Sequence, residues 1–105
     1  MKIENEISIL VWNTNSIKDY TKKLFLIETI LTNKVHIVLL QETILKDNDK
    51  MYIKGYRIYR SNSEFRKGTA ILVSNLIEAQ TYIVMKSQEG RYLKLKIKMK
   101  KKTLN

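Results

Sequence analysis

Two short apolar runs flanking a helical pattern restrict this chain more than any other feature. Ile7 to Trp12 reads as a strand and ends in Asn13-Thr14-Asn15-Ser16. A second run, Val35, Ile37, Val38, Leu39 and Leu40, leads directly into Gln41-Glu42-Thr43. Between them Tyr20, Leu24, Ile27 and Leu31 recur at i, i+4, i+7 and i+11, which puts them on one face of a helix. Ser16, with Asp19 three residues on, can cap the start of that helix, and Asn33 can close its end. Strand, helix and strand of this length form a parallel βαβ unit, which is almost always right-handed.

That geometry points to a site. In open α/β sheets ligands bind just outside the carboxyl ends of the strands, and an ionised side chain is costly to bury without a partner. Glu42 stands where a buried strand ends. If the two strands are neighbours their ends lie roughly 5 Å apart, or at most two strand spacings. Asn13, Asn15 and Glu42 would then face one patch, a cluster of hard oxygen ligands. On residue type alone, a surface carboxylate capping the following turn explains Glu42 as well.

The rest of the chain reads as strands and turns. Lys46 to Lys50 is polar, with Asp47, Asn48 and Asp49 as turn formers. Gly55 opens a short strand from Tyr56 to Arg60, and Ser61 to Gly68 is a polar loop. Thr69 to Val73 is apolar after its threonine, as expected of a central strand buried on both faces. Gln80 to Lys86 is a further strand, and Gln88-Glu89-Gly90 turns into Arg91 to Lys100. There Leu93, Leu95, Ile97 and Met99 alternate with lysines, the pattern of a half-buried strand with one face or edge in water. Six strands, one helix, and no proline, repeat or linker describe a single α/β unit.

At 105 residues the chain is one domain by size. It has no cysteine and one histidine, His36, which excludes disulfides, thiolate metal sites and a histidine-rich zinc site. A hard cation with oxygen ligands stays open. No apolar stretch reaches the ~18 residues of a membrane span, and Lys2, Glu4 and Glu6 stand where a signal peptide would be apolar. The expectation is a soluble protein with no membrane association, inside the cell in the nucleus or cytoplasm.

The net charge of +10 is unevenly spread. Arg91, Lys94, Lys96, Lys98, Lys100, Lys101 and Lys102 hold seven of the 20 basic residues, with no acid among them. Such a stripe suits a phosphate backbone, because each neutralised phosphate releases counterions. A solvated strand face explains it equally simply.

Five segments resemble, in order and spacing, the endonuclease/exonuclease/phosphatase superfamily, in particular the AP-endonuclease-like nucleases of non-LTR retrotransposons. They are Trp12-Asn13, Leu40-Gln41-Glu42-Thr43, Gly55-Tyr56, Lys67-Gly68-Thr69-Ala70-Ile71-Leu72-Val73 and Glu89-Gly90-Arg91. The resemblance implies that Glu42 is the metal-binding glutamate and Asn13 the active-site asparagine. It puts Asn15 where some members carry an aspartate that assists the metal. It implies Mg²⁺, held weakly here because amide oxygens are neutral. Nucleic acid is the implied partner, DNA in the first instance, with Arg57, Arg60, Arg66 and Lys67 around a loop that lies near DNA in the family. His36 stands where the family has an aspartate. It lies about 20 Å along an extended chain from Glu42, so it reads as a strand-end histidine and not as the catalytic base. Trp12, following Leu10 and Val11, reads as a core aromatic.

The family's catalytic tyrosine, aspartate-x-asparagine motif and aspartate-histidine pair have no counterpart before Thr103-Leu104-Asn105. The resemblance therefore implies that residues 1–105 are a single partial domain, the N-terminal half of a four-layer α/β sandwich. In that arrangement the βαβ start is followed by mainly antiparallel strands and the partner sheet is missing. Such a fragment would be inactive alone, with an uncovered sheet face open to self-association. The alternative is a non-catalytic remnant or a basic nucleic-acid-binding module.

Overall fold

The computed structural model describes residues 6–63, 67–87 and 90–99. In chain order these form β1 (Ile9–Asn13), α1 (Tyr20–Thr32), β2 (Ile37–Gln41), β3 (Tyr56–Ser61), β4 (Thr69–Ser74), β5 (Ala79–Lys86) and β6 (Leu93–Met99). β1 and β2 pair in parallel across α1, with Asn13 opposite Gln41, as the strand–helix–strand order requires. β4 runs antiparallel to both β2 and β3, which gives one mixed sheet in the order β1-β2-β4-β3. β4 is central, and Ala70 to Ser74 are all buried, which accounts for its apolar run.

A core on the helix side of this sheet is built from Leu26, Ile30, Val38, Leu40, Ala70 and Leu72, with Ile17, Leu45 and Ile53 closing its ends. The helix buries a different row from the one expected. Leu26 and Ile30 face the sheet, while Tyr20, Leu24 and Leu31 are exposed. Apolar residues occupy most of the circumference of α1, so periodicity alone does not select the buried side. Contacts at its entry select it. Asp19, not Ser16, is the N-cap and accepts from Thr21 N–H at 2.8 Å. Lys22 Nζ donates to the carbonyls of Thr14 and Asn15, both at 2.8 Å. Asn33 closes the helix as expected, through its backbone N–H to the Thr29 carbonyl. Trp12 is half-buried against the same core and meets Phe25 edge-on, with ring centroids 5.7 Å apart.

The opposite face of the sheet is partly covered. β5 and β6 pair into a two-stranded antiparallel sheet, and Leu93, Leu95 and Ile97 of β6 pack on Ile71, Val73 and Ile77. The apolar half of the β6 alternation has therefore found a core, and Lys94, Lys96 and Lys98 remain on its exposed side. At β1 the cover stops: Ile9 and Val11 are 56% and 60% exposed.

His36 lies at the entry of β2, away from Glu42, where its Nδ1 accepts from the Ser8 N–H at 2.9 Å. It is the strand-end histidine expected. At the same end of the sheet the Tyr56 hydroxyl donates to the Val35 carbonyl, and burial holds the pKa of this phenol above its usual value. Among the described residues no helix is long and apolar enough to cross a membrane.

Candidate active site

The site is built where the carboxyl ends of β1 and β2 run on side by side. Beyond Asn13 and Gln41 the two segments stay zipped together. Thr14 N–H donates to the Gln41 carbonyl at 2.9 Å, Ser16 to Glu42 at 2.8 Å and Ile17 to Thr43 at 3.0 Å. Thr14 Oγ1 adds bonds to the carbonyls of Gln41 and Glu42 at 3.1 and 3.0 Å. Holding this pairing forces four non-glycine residues into the left-handed region, with φ of 46° at Asn15, 85° at Ser16, 51° at Glu42 and 56° at Ile44. Each such residue costs on the order of 1–3 kcal/mol, and this kind of strain clusters at functional sites.

That backbone delivers Asn13 and Glu42 to each other. Asn13 Nδ2 donates to Glu42 Oε2 at 2.5 Å, and Asn13 Oδ1 accepts from the Asn15 N–H at 3.3 Å. The amide thus orients the carboxylate, and its own oxygen is turned to the loop. An open groove of about 290 Å³ lies against the pair, lined by Asn13, Gln41, Glu42, Lys67, Gly68, Thr69, Gly90 and Arg91. Its floor is a close approach of backbones. Gly68 donates to the Gly90 carbonyl at 3.1 Å, Thr43 to the Gly68 carbonyl at 3.1 Å and Ile44 to the Lys67 carbonyl at 2.9 Å. Thr69 Oγ1 also donates to the Gly90 carbonyl, at 3.0 Å. Arg91 is held at the rim by its N–H to Ser87 Oγ at 2.8 Å.

The groove thus sets one carboxylate against two cationic side chains, an arrangement able to hold an anion next to a cation. Among the described residues no group of three or more His, Asp or Glu side chains comes together. A metal there would lean on Glu42 alone. Mg²⁺ keeps several waters and takes as few as one carboxylate beside a phosphate, so this donor set fits a hydrated, weakly held ion and not a closed site.

The other residues expected at the site are placed as follows. Asn15 is exposed and does not line the groove. Lys67 does. Arg60 is turned to the helix side of the sheet, where its Nη1 and Nη2 donate to the carbonyls of Asp49 and Lys46 at 2.7 and 2.9 Å and its Nε to Asn62 at 3.1 Å. It fastens the 46–49 turn. Arg57, opposite Val73 on the hairpin side, has Nε and Nη2 buried without a partner and reaches Asn75 Oδ1 with Nη1 at 3.4 Å. Neither arginine reaches the groove. Arg66, Glu89 and Lys100 to Lys102 lie outside the described residues.

Gln41, Gly68, Thr69, Gly90 and Arg91 were not expected as lining residues. A signal for two of them was available: with three glycines in 105 residues, each glycine marks a place where the backbone needs it.

No family model matches the chain. Among solved structures it is similar to the catalytic domain of Xenopus laevis APE2, an AP endonuclease of the endonuclease/exonuclease/phosphatase superfamily. The TM-score is 0.55 with 28% sequence identity, over 70% of this chain and 26% of that one. The chain thus spans about a quarter of the length of the structure it matches. Its strand-dominated α/β architecture matches a fragment of an AP endonuclease-like fold.

Proposed function

We propose that residues 1–105 are the part of a retrotransposon-type, Mg²⁺-dependent endonuclease that carries the asparagine–glutamate pair. In this reading they are the N-terminal half of a four-layer sandwich whose whole hydrolyses phosphodiesters in DNA, inside the cell. The observation that supports it most directly is the Asn13–Glu42 hydrogen bond at the carboxyl ends of two parallel strands, facing Lys67 and Arg91 across the groove. When bound, Mg²⁺ would neutralise charge at a phosphoryl oxygen. Asn13 fixes the rotamer of Glu42, and Lys67 and Arg91 attract the phosphate. Because catalytic groups act as a unit, a chain without the family's histidine base and its partners loses nearly all acceleration. The fragment alone binds and does not cut.

A basic binding module without a metal is the second reading, favoured by the exposed row Lys94, Lys96 and Lys98. A titration with duplex DNA over a salt series, with and without Mg²⁺, separates the two. Under the nuclease reading affinity falls steeply with salt, and Mg²⁺ strengthens binding of the native chain but not of Glu42→Gln. Equal binding with and without Mg²⁺ supports the basic module, and no binding at low salt sinks both. Mg²⁺-dependent nicking by the purified chain, abolished in Glu42→Gln, would overturn the claim that it is inactive alone.

A further inference from the structure

The Asn13–Glu42 pair depends on a loop that does not hold itself. Asn15 and Ser16 sit at φ of 46° and 85°, and non-glycine residues stay in that region only where their surroundings over-determine them. On one side the loop is tied to the chain beyond β2 through the N–H groups of Thr14, Ser16 and Ile17. On the other side its carbonyls are tied to α1, where Lys22 Nζ takes those of Thr14 and Asn15, both at 2.8 Å. The two carbonyls belong to the peptide planes on either side of Asn15. Their convergence on one ammonium group therefore requires the backbone angles that Asn15 adopts.

This contact leads to the carboxylate. The Thr14 carbonyl and the Asn15 N–H are opposite ends of one planar peptide. Lys22 holds the carbonyl end, and the N–H end donates to Asn13 Oδ1 at 3.3 Å. Asn13 Nδ2 in turn donates to Glu42 Oε2. A single rigid plane thus passes the position of the ammonium group on to the Asn13 amide, and polarisation of the carbonyl by the charge strengthens the N–H as a donor. The helix itself gives no reason for a lysine here. Lys22 is in the first turn of α1, at the positive end of the helix dipole, where a cation is disfavoured. Among the described residues no carboxylate pairs with it, and the carboxylate of Asp19 accepts from the Thr21 N–H.

We propose that Lys22 is a positioning residue of the site: its ammonium group holds the 13–16 loop in the left-handed shape that sets Asn13 on Glu42. That the pair so positioned serves Mg²⁺ and phosphate rests on the nuclease reading, whereas the hold on the loop does not. Without the ammonium group the Thr14 and Asn15 carbonyls turn to water, the 14–15 peptide is free to rotate, and Asn13 leaves the carboxylate.

The test compares the native chain with Lys22→Met, which keeps the aliphatic stem, and with Lys22→Arg, whose guanidinium can still bridge two carbonyls. All are studied at concentrations where they sediment as monomers. In the free proteins the Asn13 side-chain amide resonances should move in Lys22→Met toward their positions in Glu42→Ala, and return in Lys22→Arg. On duplex DNA the gain in affinity that Mg²⁺ gives should shrink by about tenfold in Lys22→Met, the loss typical when a group that orients a metal ligand is removed. Adding Asn13→Ala to Lys22→Met should cost less than Asn13→Ala costs the native chain, because the two act through one contact. If Lys22→Met loses its cooperative urea transition, the same comparison is made with Lys22→Gln. Unmoved Asn13 resonances in a folded variant, no recovery with arginine, or strictly additive effects of the two changes would overturn the proposal. Absence of any Mg²⁺ effect in the native chain would sink the nuclease reading, and the Asn13 resonances would then decide the role of Lys22.

Discussion

Gly68 is where three segments of the chain meet, and its missing side chain is what lets them do so. Its φ is +126°, and a Cβ there would lie 2.3 Å from the buried Thr43 Oγ1. Gly90 repeats the constraint, because its Cβ would come within 2.9 Å of Gly68 and of Ser63. Adding one methyl therefore forces apart the floor that carries Lys67, Arg91 and the end of β2. Gly68→Ala is expected to destabilise the fold by about 2 kcal/mol or more, combining backbone strain with overpacking, read as a lower urea midpoint. A midpoint equal to that of the native chain would show that the floor can yield. At this scale the sequence was legible where chemistry and backbone coincide. Glu42 ends a buried run, so its place follows from strand geometry, and the parallel neighbour brings Asn13 with it. The placement of Arg57 and Arg60 was not legible. An arginine on a strand looks the same whether it faces solvent, a turn or a second sheet, and only tertiary packing turned Arg60 onto the Lys46 and Asp49 carbonyls.

Among the elements, the βαβ unit and the β5–β6 hairpin differ in how they are held. β2 and β4 each have a neighbour on both sides; β4 buries residues on both faces, and β2 buries Val38 and Leu40 on one face with Ile37 and Leu39 half-buried on the other. Among the described residues the hairpin pairs only with itself, and it rests on the main sheet through Leu93, Leu95 and Ile97, while Ile83 and Met85 of β5 stay exposed. Its own ladder carries a register irregularity between Ile83 and Met85. Local opening is easiest where few apolar side chains are buried. Amide exchange should therefore be faster in β5 and β6 than in β2 and β4, and equal protection across all four would contradict this. The strands themselves were legible because each shows its period: continuous apolar for β4, period two for β6. The buried row of α1 was not, because a helix with Leu24, Phe25, Leu26, Ile27, Ile30 and Leu31 has apolar residues on more than one side. Its rotation is decided by Asp19 and Lys22, polar residues whose sequence context resembles any solvated turn.

For the molecule as a whole, the exposed apolar surface of β1 sets the expected solution behaviour. The radius of gyration of 14.6 Å exceeds the ~13 Å of a compact domain of this size. The hairpin covers the β4 part of its sheet face and leaves Ile9 and Val11 outside. Among the described residues β1 is also a terminal strand of the sheet, with β2 as its one neighbour, so an open strand edge and exposed β-branched side chains coincide there. Native edges are usually blunted by lysine, proline or a bulge. Ile9 to Asn13 has none of these. Self-association of residues 1–105 through this strand is the expected outcome, opposed by the net charge of +10, and added salt should strengthen it by screening that repulsion. Sedimentation equilibrium should show an average mass that rises with protein concentration and with salt. Val11→Lys, which puts a charge in the middle of the exposed edge without touching the helix-side core, should return the chain to monomer. A native chain that stays monomeric at every concentration and salt would mean that β1 is adequately protected by charge alone, and the apolar edge would lose its role in assembly.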